Sequence, residues 1–97
     1  KMTSKVSRGG RRKRVRALLS AAVAAHQAGD LDTAEAGYGN VLAISAENAE
    51  ALRLLGTLYA QTERAAEAIP LLERAVALDP RNDDAHNNLG LALEAAG

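Results

Sequence analysis

The sequence repeats itself with a period of 34 residues, and this period constrains the fold more than any other feature. Shifted by 34 positions, residues 48–56 align with residues 82–90. The identical pairs in this window are Asn48/Asn82, Ala51/Ala85, Leu55/Leu89 and Gly56/Gly90. Periods of about 20 to 50 residues are typical of arrays in which each structural unit packs only on its neighbours. We therefore expect stacked units rather than one central core.

Each unit is predicted to contain two helices. Ala and Leu, which are strong helix formers, dominate the apolar residues. Gly29 is expected to end the first helix and Asp30 to cap the second, while Pro80 favours a turn between units. The predicted fold is all-α, made of antiparallel helix hairpins. Its five helices are predicted at about 11–28, 31–44, 48–62, 65–78 and 82–96.

The second unit carries a spaced series of apolar and small residues, which are Leu52, Leu55, Gly56, Tyr59, Ala68, Leu72, Ala75 and Pro80. These residues occupy the eight signature positions of the tetratricopeptide repeat (TPR) family, so the unit resembles that family. The resemblance implies a TPR superhelix with two full repeats and the first helix of a third. It places the units at about 15–48, 49–82 and 83–97, within a TPR domain over 11–97 that follows a basic, flexible arm over 1–10.

Small residues recur where two helices of a repeat are expected to meet. Ala22, Gly56 and Gly90 take the same position in successive units, and we expect them to face Ala34 and Ala68. Small side chains allow close approach of two helix axes.

The resemblance also implies where a partner binds. In TPR proteins the first helix of each hairpin lines the concave side, which takes up a peptide or protein segment. Polar side chains there can hydrogen-bond an extended backbone, although ordinary exposed helix positions would have the same composition. The corresponding residues are Ser20, Val23, His26 and Gln27 in the first unit, Glu50, Arg53, Leu54, Thr57 and Gln61 in the second, and Asp84, Asn87, Asn88, Leu91 and Glu94 in the third.

Three segments carry a further resemblance, namely HNNLG, AEA..Y..VLAI and ERAVALDP. They are similar to the TPR regions that precede bacterial glycosyltransferases of the O-linked N-acetylglucosamine transferase type. In those enzymes an Asn ladder follows the concave face, whereas here only Asn88 occupies such a position, and Leu54 and Ser20 replace the others. A second hypothesis is therefore a TPR portion that presents substrate to a larger transferase.

A basic run precedes an acidic body. Residues 8–16 contain six basic residues, whereas residues 17–97 carry a net charge of −8. Nucleic acid or an anionic surface is a third possible partner, although no aromatic residue accompanies the run for base stacking. Gly9 and Gly10 are interpreted as a flexible joint or a helix stop. The residues assigned to an anionic partner are Arg11, Arg12, Lys13 and Arg14.

The chemistry of an enzyme is not predicted. The chain has no Cys, which excludes thiol chemistry and Cys-ligated zinc. His26 and His86 stand far apart, and we expect a solvated His26 and a half-buried His86 in an aromatic position. No cofactor, metal or small-molecule substrate is predicted. Without an apolar run of about 20 residues or a secretory signal, the chain is expected to be soluble and cytoplasmic.

The last predicted helix has no partner in the sequence. Leu89 and Leu93 share one face, as in an interior helix of an array rather than a polar cap. We therefore expect the sequence to be a fragment of a longer array. We also expect a homo-oligomer in which these two leucines contact a second copy.

Overall fold

The computed structural model describes residues 8–97, with side chains from Gly10 onward. This part of the chain contains no strand, which confirms the predicted all-α class. The five helices are α1 Arg8–Gln27, α2 Leu31–Ile44, α3 Ala49–Gln61, α4 Ala65–Leu78 and α5 Asp83–Ala96.

The observed bounds of α2 and α4 equal the predicted ones, whereas α1 begins three residues early, at Arg8. Gly9 and Gly10 therefore belong to the helix and form neither a joint nor a helix stop. Once a helix is nucleated, each further residue adds one backbone hydrogen bond, so a well-packed helix extends past residues of low propensity. Of the arm predicted over 1–10, residues 1–7 lie outside the described part.

Local sequence signals set the helix ends. Gly29 follows α1 with φ +85°, a left-handed conformation that favours glycine. The side chains of Asp30, Asn48 and Asn82 each accept a hydrogen bond from the backbone N–H three residues later. These N-caps satisfy donors that the first turn of a helix leaves unpaired. The predicted roles of Gly29 and Asp30 are confirmed.

The helices pack as two layers of stacked hairpins. α1 pairs with α2 and α3 pairs with α4, while α2 also contacts α3 and α4 also contacts α5. The core follows the seam between the layers. Its three clusters of buried residues are Ala22, Ala34, Tyr38, Leu55 and Leu58; then Leu52, Ala75 and Ala85; then Ala68, Leu72 and Ala92.

The helices of each hairpin approach closely at a glycine. A Cβ at Gly37 would lie 2.7 Å from the Cβ of Ala22, and a Cβ at Gly56 would lie 2.6 Å from Cγ of Leu72. Ala22 therefore meets Gly37, and Gly56 accommodates the large side chain of Leu72, while Ala22 and Ala34 belong to the same buried cluster. Around Gly90 the space is open, because no second helix covers this side of α5 within the described residues.

Candidate peptide-binding groove

Three cavities open along the layer formed by α1, α3 and α5. We call the surface that they line the groove face. The first cavity, of about 350 Å³, and the second, of about 440 Å³, lie between α1 and the N-terminal part of α3. They share Arg16, Leu19 and Glu50, so they form one continuous depression. The third, of about 240 Å³, lies between α3 and α5.

Hydrogen bonds hold the side chains of the third cavity. Nδ2 of Asn88 donates to Oγ1 of Thr57 at 2.6 Å, and that hydroxyl donates to the backbone carbonyl of Arg53 at 2.8 Å. Asn88 belongs to α5 and Thr57 to α3, so these bonds connect two neighbouring repeats. They fix the Asn88 amide while its carbonyl oxygen remains an acceptor for a ligand.

His26 connects three helices beside the groove face. Its Nδ1 lies 2.8 Å from the Tyr38 hydroxyl, and its Nε2 lies 2.8 Å from Oε1 of Gln61. Because Oε1 can only accept, Nε2 donates to Gln61, and Nδ1 shares a hydrogen bond with the Tyr38 hydroxyl. His26 is therefore half-buried and bonded, not solvated as predicted. The Gln61 amide nitrogen remains a donor for a ligand.

Arg53 lies half-buried beside the hydrogen-bonded group of His26, Tyr38 and Gln61, and it has an unsatisfied hydrogen-bond donor. Its Nε is buried and has no hydrogen-bond partner. Burial raises the pKa of the Tyr38 hydroxyl, the Arg53 charge opposes this shift, and the Glu50 charge adds to it. The charges of Arg53 and Glu50, which both belong to α3, therefore act on the same buried hydroxyl of Tyr38.

Most of the predicted peptide-binding residues lie on the groove face. The members that line the second or third cavity are Ser20, Val23, Gln27, Glu50, Thr57, Gln61, Asn88 and Leu91.

Four predicted residues lie elsewhere. Leu54 packs on the cluster around Tyr38. Asp84, Asn87 and Glu94 are exposed and line none of the three cavities. A helix turns about 100° per residue, so Asn87 points to another side of α5 than its neighbour Asn88.

Sequence reasoning missed several groove residues. Arg16 and Leu19 line both cavities beside α1, and Ala60 and Ala95 line the third. Arg16 and Leu19 precede Ser20 and Val23 by four residues, which is one helical turn. Extending the mapped face of α1 backward by one turn would have included them.

The basic run divides between two sides of α1. Arg11 and Arg12 line the first cavity together with Arg16, whereas Lys13 and Arg14 are exposed outside it. None of these five residues forms an ion pair with another described residue. Their charges are therefore available to a partner.

The two leucines assigned to self-association have different surroundings. Leu89 packs on the cluster of Ala68, Leu72 and Ala92, so its side chain contributes to the interface between α4 and α5. Leu93 is 49% exposed. Only Leu93 is thus accessible to a large extent.

Other features bear on further functions. His86 is exposed, not half-buried as predicted, and its Nε2 donates to the Pro80 carbonyl at 2.7 Å. In the part of the chain that the structure describes, no group of His, Cys, Asp or Glu side chains could hold a metal ion. Among the described helices, none has the length and apolarity needed to cross a bilayer.

Comparisons with known proteins agree with this architecture. A model of the TPR repeat matches residues 57–97. Among solved structures, a mutant of the O-GlcNAc transferase from Thermobaculum terrenum superposes with a TM-score of 0.87 at 41% sequence identity. The match covers 99% of this chain and 18% of that protein. No curated protein sequence matches. The resemblance to the tetratricopeptide repeat family predicted from the sequence is thus confirmed.

Proposed function

We propose that the groove face binds an extended peptide or protein segment without catalysing a reaction. The observation that carries this proposal is the state of two amides, Gln61 and Asn88. Each is held by one hydrogen bond within the protein, to His26 and Thr57 respectively. Each keeps a free polar group, the nitrogen of Gln61 and the oxygen of Asn88, so the pair offers a donor and an acceptor.

An extended peptide backbone matches this pair. It presents N–H and C=O groups along its whole length, so it can donate to Asn88 and accept from Gln61. Leu91, Ala60 and Ala95 surround the amides with apolar surface for a ligand side chain. Because the amides are held in place before binding, little side-chain entropy is lost when the ligand arrives. Recognition of backbone groups accepts many sequences, as expected for an interaction module.

The experiment starts with peptides selected from a displayed library on the immobilised chain. Their affinities are then measured by calorimetry for the wild type and for Gln61→Ala plus Asn88→Ala. Two lost hydrogen bonds, each contributing about 1 kcal/mol, should weaken binding by roughly tenfold or more.

The matched control is Asn40→Ala plus Glu73→Ala. These exposed residues lie on α2 and α4 and line none of the three cavities. The control should bind like the wild type. Equal affinity of the selected peptides for all three proteins would refute binding at the amides, provided that circular dichroism shows the same helix content.

A second candidate function is the presentation of substrate to a glycosyltransferase. The 41% identity to an O-GlcNAc transferase favours it. The two functions share the groove face and differ in the fate of the bound segment. Added in trans to the catalytic domain of such an enzyme, the chain would compete for substrate peptides under this second function, and glycosylation would slow. A plain interaction module would leave glycosylation of those peptides unchanged.

A third candidate is binding of nucleic acid or another anionic surface through Arg11, Arg12, Lys13 and Arg14. The unpaired charges of these residues favour it. This function requires all four cations to contribute similarly to the affinity, because a polyanion interacts with the total charge of this end of the helix. Replacing all four with Ser would then abolish binding of the anionic partner, whereas peptides bound at Gln61 and Asn88 would be retained.

A further inference from the structure

The cationic end of α1 is part of the groove face. Arg12 and Arg16 are separated by one helical turn, and both line the first cavity, which continues into the second through Arg16, Leu19 and Glu50. The arginines lie at one end of the depression, and Leu19 and Val23 follow toward its middle. A ligand in the depression would therefore meet charge first and apolar surface next.

These arginines have no internal partner. Both are exposed, and the ion pairs of the described residues involve only Arg64 and Arg74 as cations. Because residues 17–97 carry a net charge of −8, the rest of the protein would repel an acidic ligand. The cationic end of the groove face is therefore the place where a negative charge is best accommodated.

We infer that the partner is an acidic peptide segment whose carboxylates lie against Arg12 and Arg16 and whose following apolar residue packs on Leu19 and Val23. This inference rests on the proposed peptide-binding function and adds the chemical class and direction of the ligand. Arginine suits the role because its planar guanidinium can form paired hydrogen bonds with a carboxylate.

A peptide fits this surface better than nucleic acid. Glu50 lies on the wall opposite α1 and lines both cavities, so it would repel a strand that carries a phosphate at every nucleotide. The residues that line the two cavities include no aromatic side chain on which bases could stack. A peptide can carry its acidic residues at one end only, so fewer of its negative charges lie near Glu50 than in a strand with a phosphate at every nucleotide.

The test uses fluorescence anisotropy with two labelled peptides. One has Glu residues in its first half followed by Leu, Ser and Ala, and the other has Gln in place of every Glu. The proteins are the wild type, Arg12→Gln plus Arg16→Gln, and the control Lys13→Gln plus Arg14→Gln. The control removes the same charge from the same helix, outside the cavity.

We expect the Glu peptide to bind the wild type more tightly than the Gln peptide. Loss of Arg12 and Arg16 should weaken its binding about tenfold, and the control should change it by no more than about twofold. Higher salt should reduce the difference in affinity between the two peptides, because salt screens the interaction between the charges. Glu50→Gln should strengthen binding of the Glu peptide. Circular dichroism verifies that each variant keeps its helix content.

Two results would overturn the inference. An equal loss in both double variants, together with tighter binding of a labelled single-stranded DNA than of the Glu peptide, would assign the charges to nucleic acid. Equal affinity of the wild type for the Glu and Gln peptides would refute only the inferred preference for acidic peptides. In that case the library-selected peptides would still depend on Gln61 and Asn88, which separates this failure from failure of the proposed function.

Discussion

Two glycines at the same position of successive repeats have different surroundings. Gly56 lies against Leu72, whereas Gly90 faces open space. Gly56→Ala should lower the free energy of unfolding by about 1–3 kcal/mol, because its methyl group would overlap the leucine side chain. Gly90→Ala should raise it by about 0.5–1 kcal/mol, because alanine favours the helical backbone. Urea denaturation measures both, and a similar change in the two variants would contradict the difference in packing.

At the scale of helices, a cluster of charged and aromatic groups joins the two hairpins. Arg64, in the turn before α4, forms ion pairs with Glu35 of α2 at 3.1 Å and with Glu67 of α4 at 2.8 Å. The Tyr59 hydroxyl donates to Glu35 at 2.9 Å, and the guanidinium of Arg64 lies 4.1 Å from the centre of the Tyr59 ring. The cluster therefore fixes the second hairpin against the first.

The cluster should make stability depend on pH. Hydrogen bonds from Arg64 and then from Tyr59 lower the pKa of Glu35 below its ordinary value of 4.5. The stabilisation is fully present above pH 4.5 and is lost as the pH falls through the lowered pKa, because the folded state binds the proton less readily than the unfolded chain. Glu35→Gln should cost on the order of 0.5 kcal/mol at pH 7.

Urea denaturation of the wild type and Glu35→Gln between pH 7 and pH 3 measures this dependence. The difference in the free energy of unfolding should shrink as the pH falls. Glu73→Gln is the control, since Glu73 is exposed on α4 and has no ion pair among the described residues. A constant difference across the pH range would show that Glu35 acts by packing rather than by charge.

At the scale of the whole molecule, the side of α5 away from the groove face exposes Leu93. We propose that a second copy covers it, because burial of an exposed leucine is favourable by about 1.5–3 kcal/mol. Sedimentation velocity should show an average mass that rises with concentration, and Leu93→Glu should abolish the rise. Leu91→Glu is the matched control, because Leu91 is 54% exposed and lines the groove face. A mass that is independent of concentration in the wild type would contradict self-association.

The sequence by itself determined the helices and their connections. The 34-residue period, Gly29 and the caps at Asp30, Asn48 and Asn82 act within a few residues of where they stand, so their effects do not depend on distant parts of the chain. The face that each first helix directs to the groove was implied by the resemblance to the tetratricopeptide repeat family. Eight of the fourteen residues predicted to lie on that face line a cavity there.

Only the tertiary structure decided which side chains meet. The bonds of His26 with Tyr38 and Gln61, the pairing of Glu35 with Arg64 and the contact of Gly56 with Leu72 join residues of different helices. Such contacts depend on the angle and the distance between helix axes, which periodicity along one helix does not specify. The tertiary structure also decided how far the groove extends along α1, because the turn between α2 and α3 lies opposite the first half of α1.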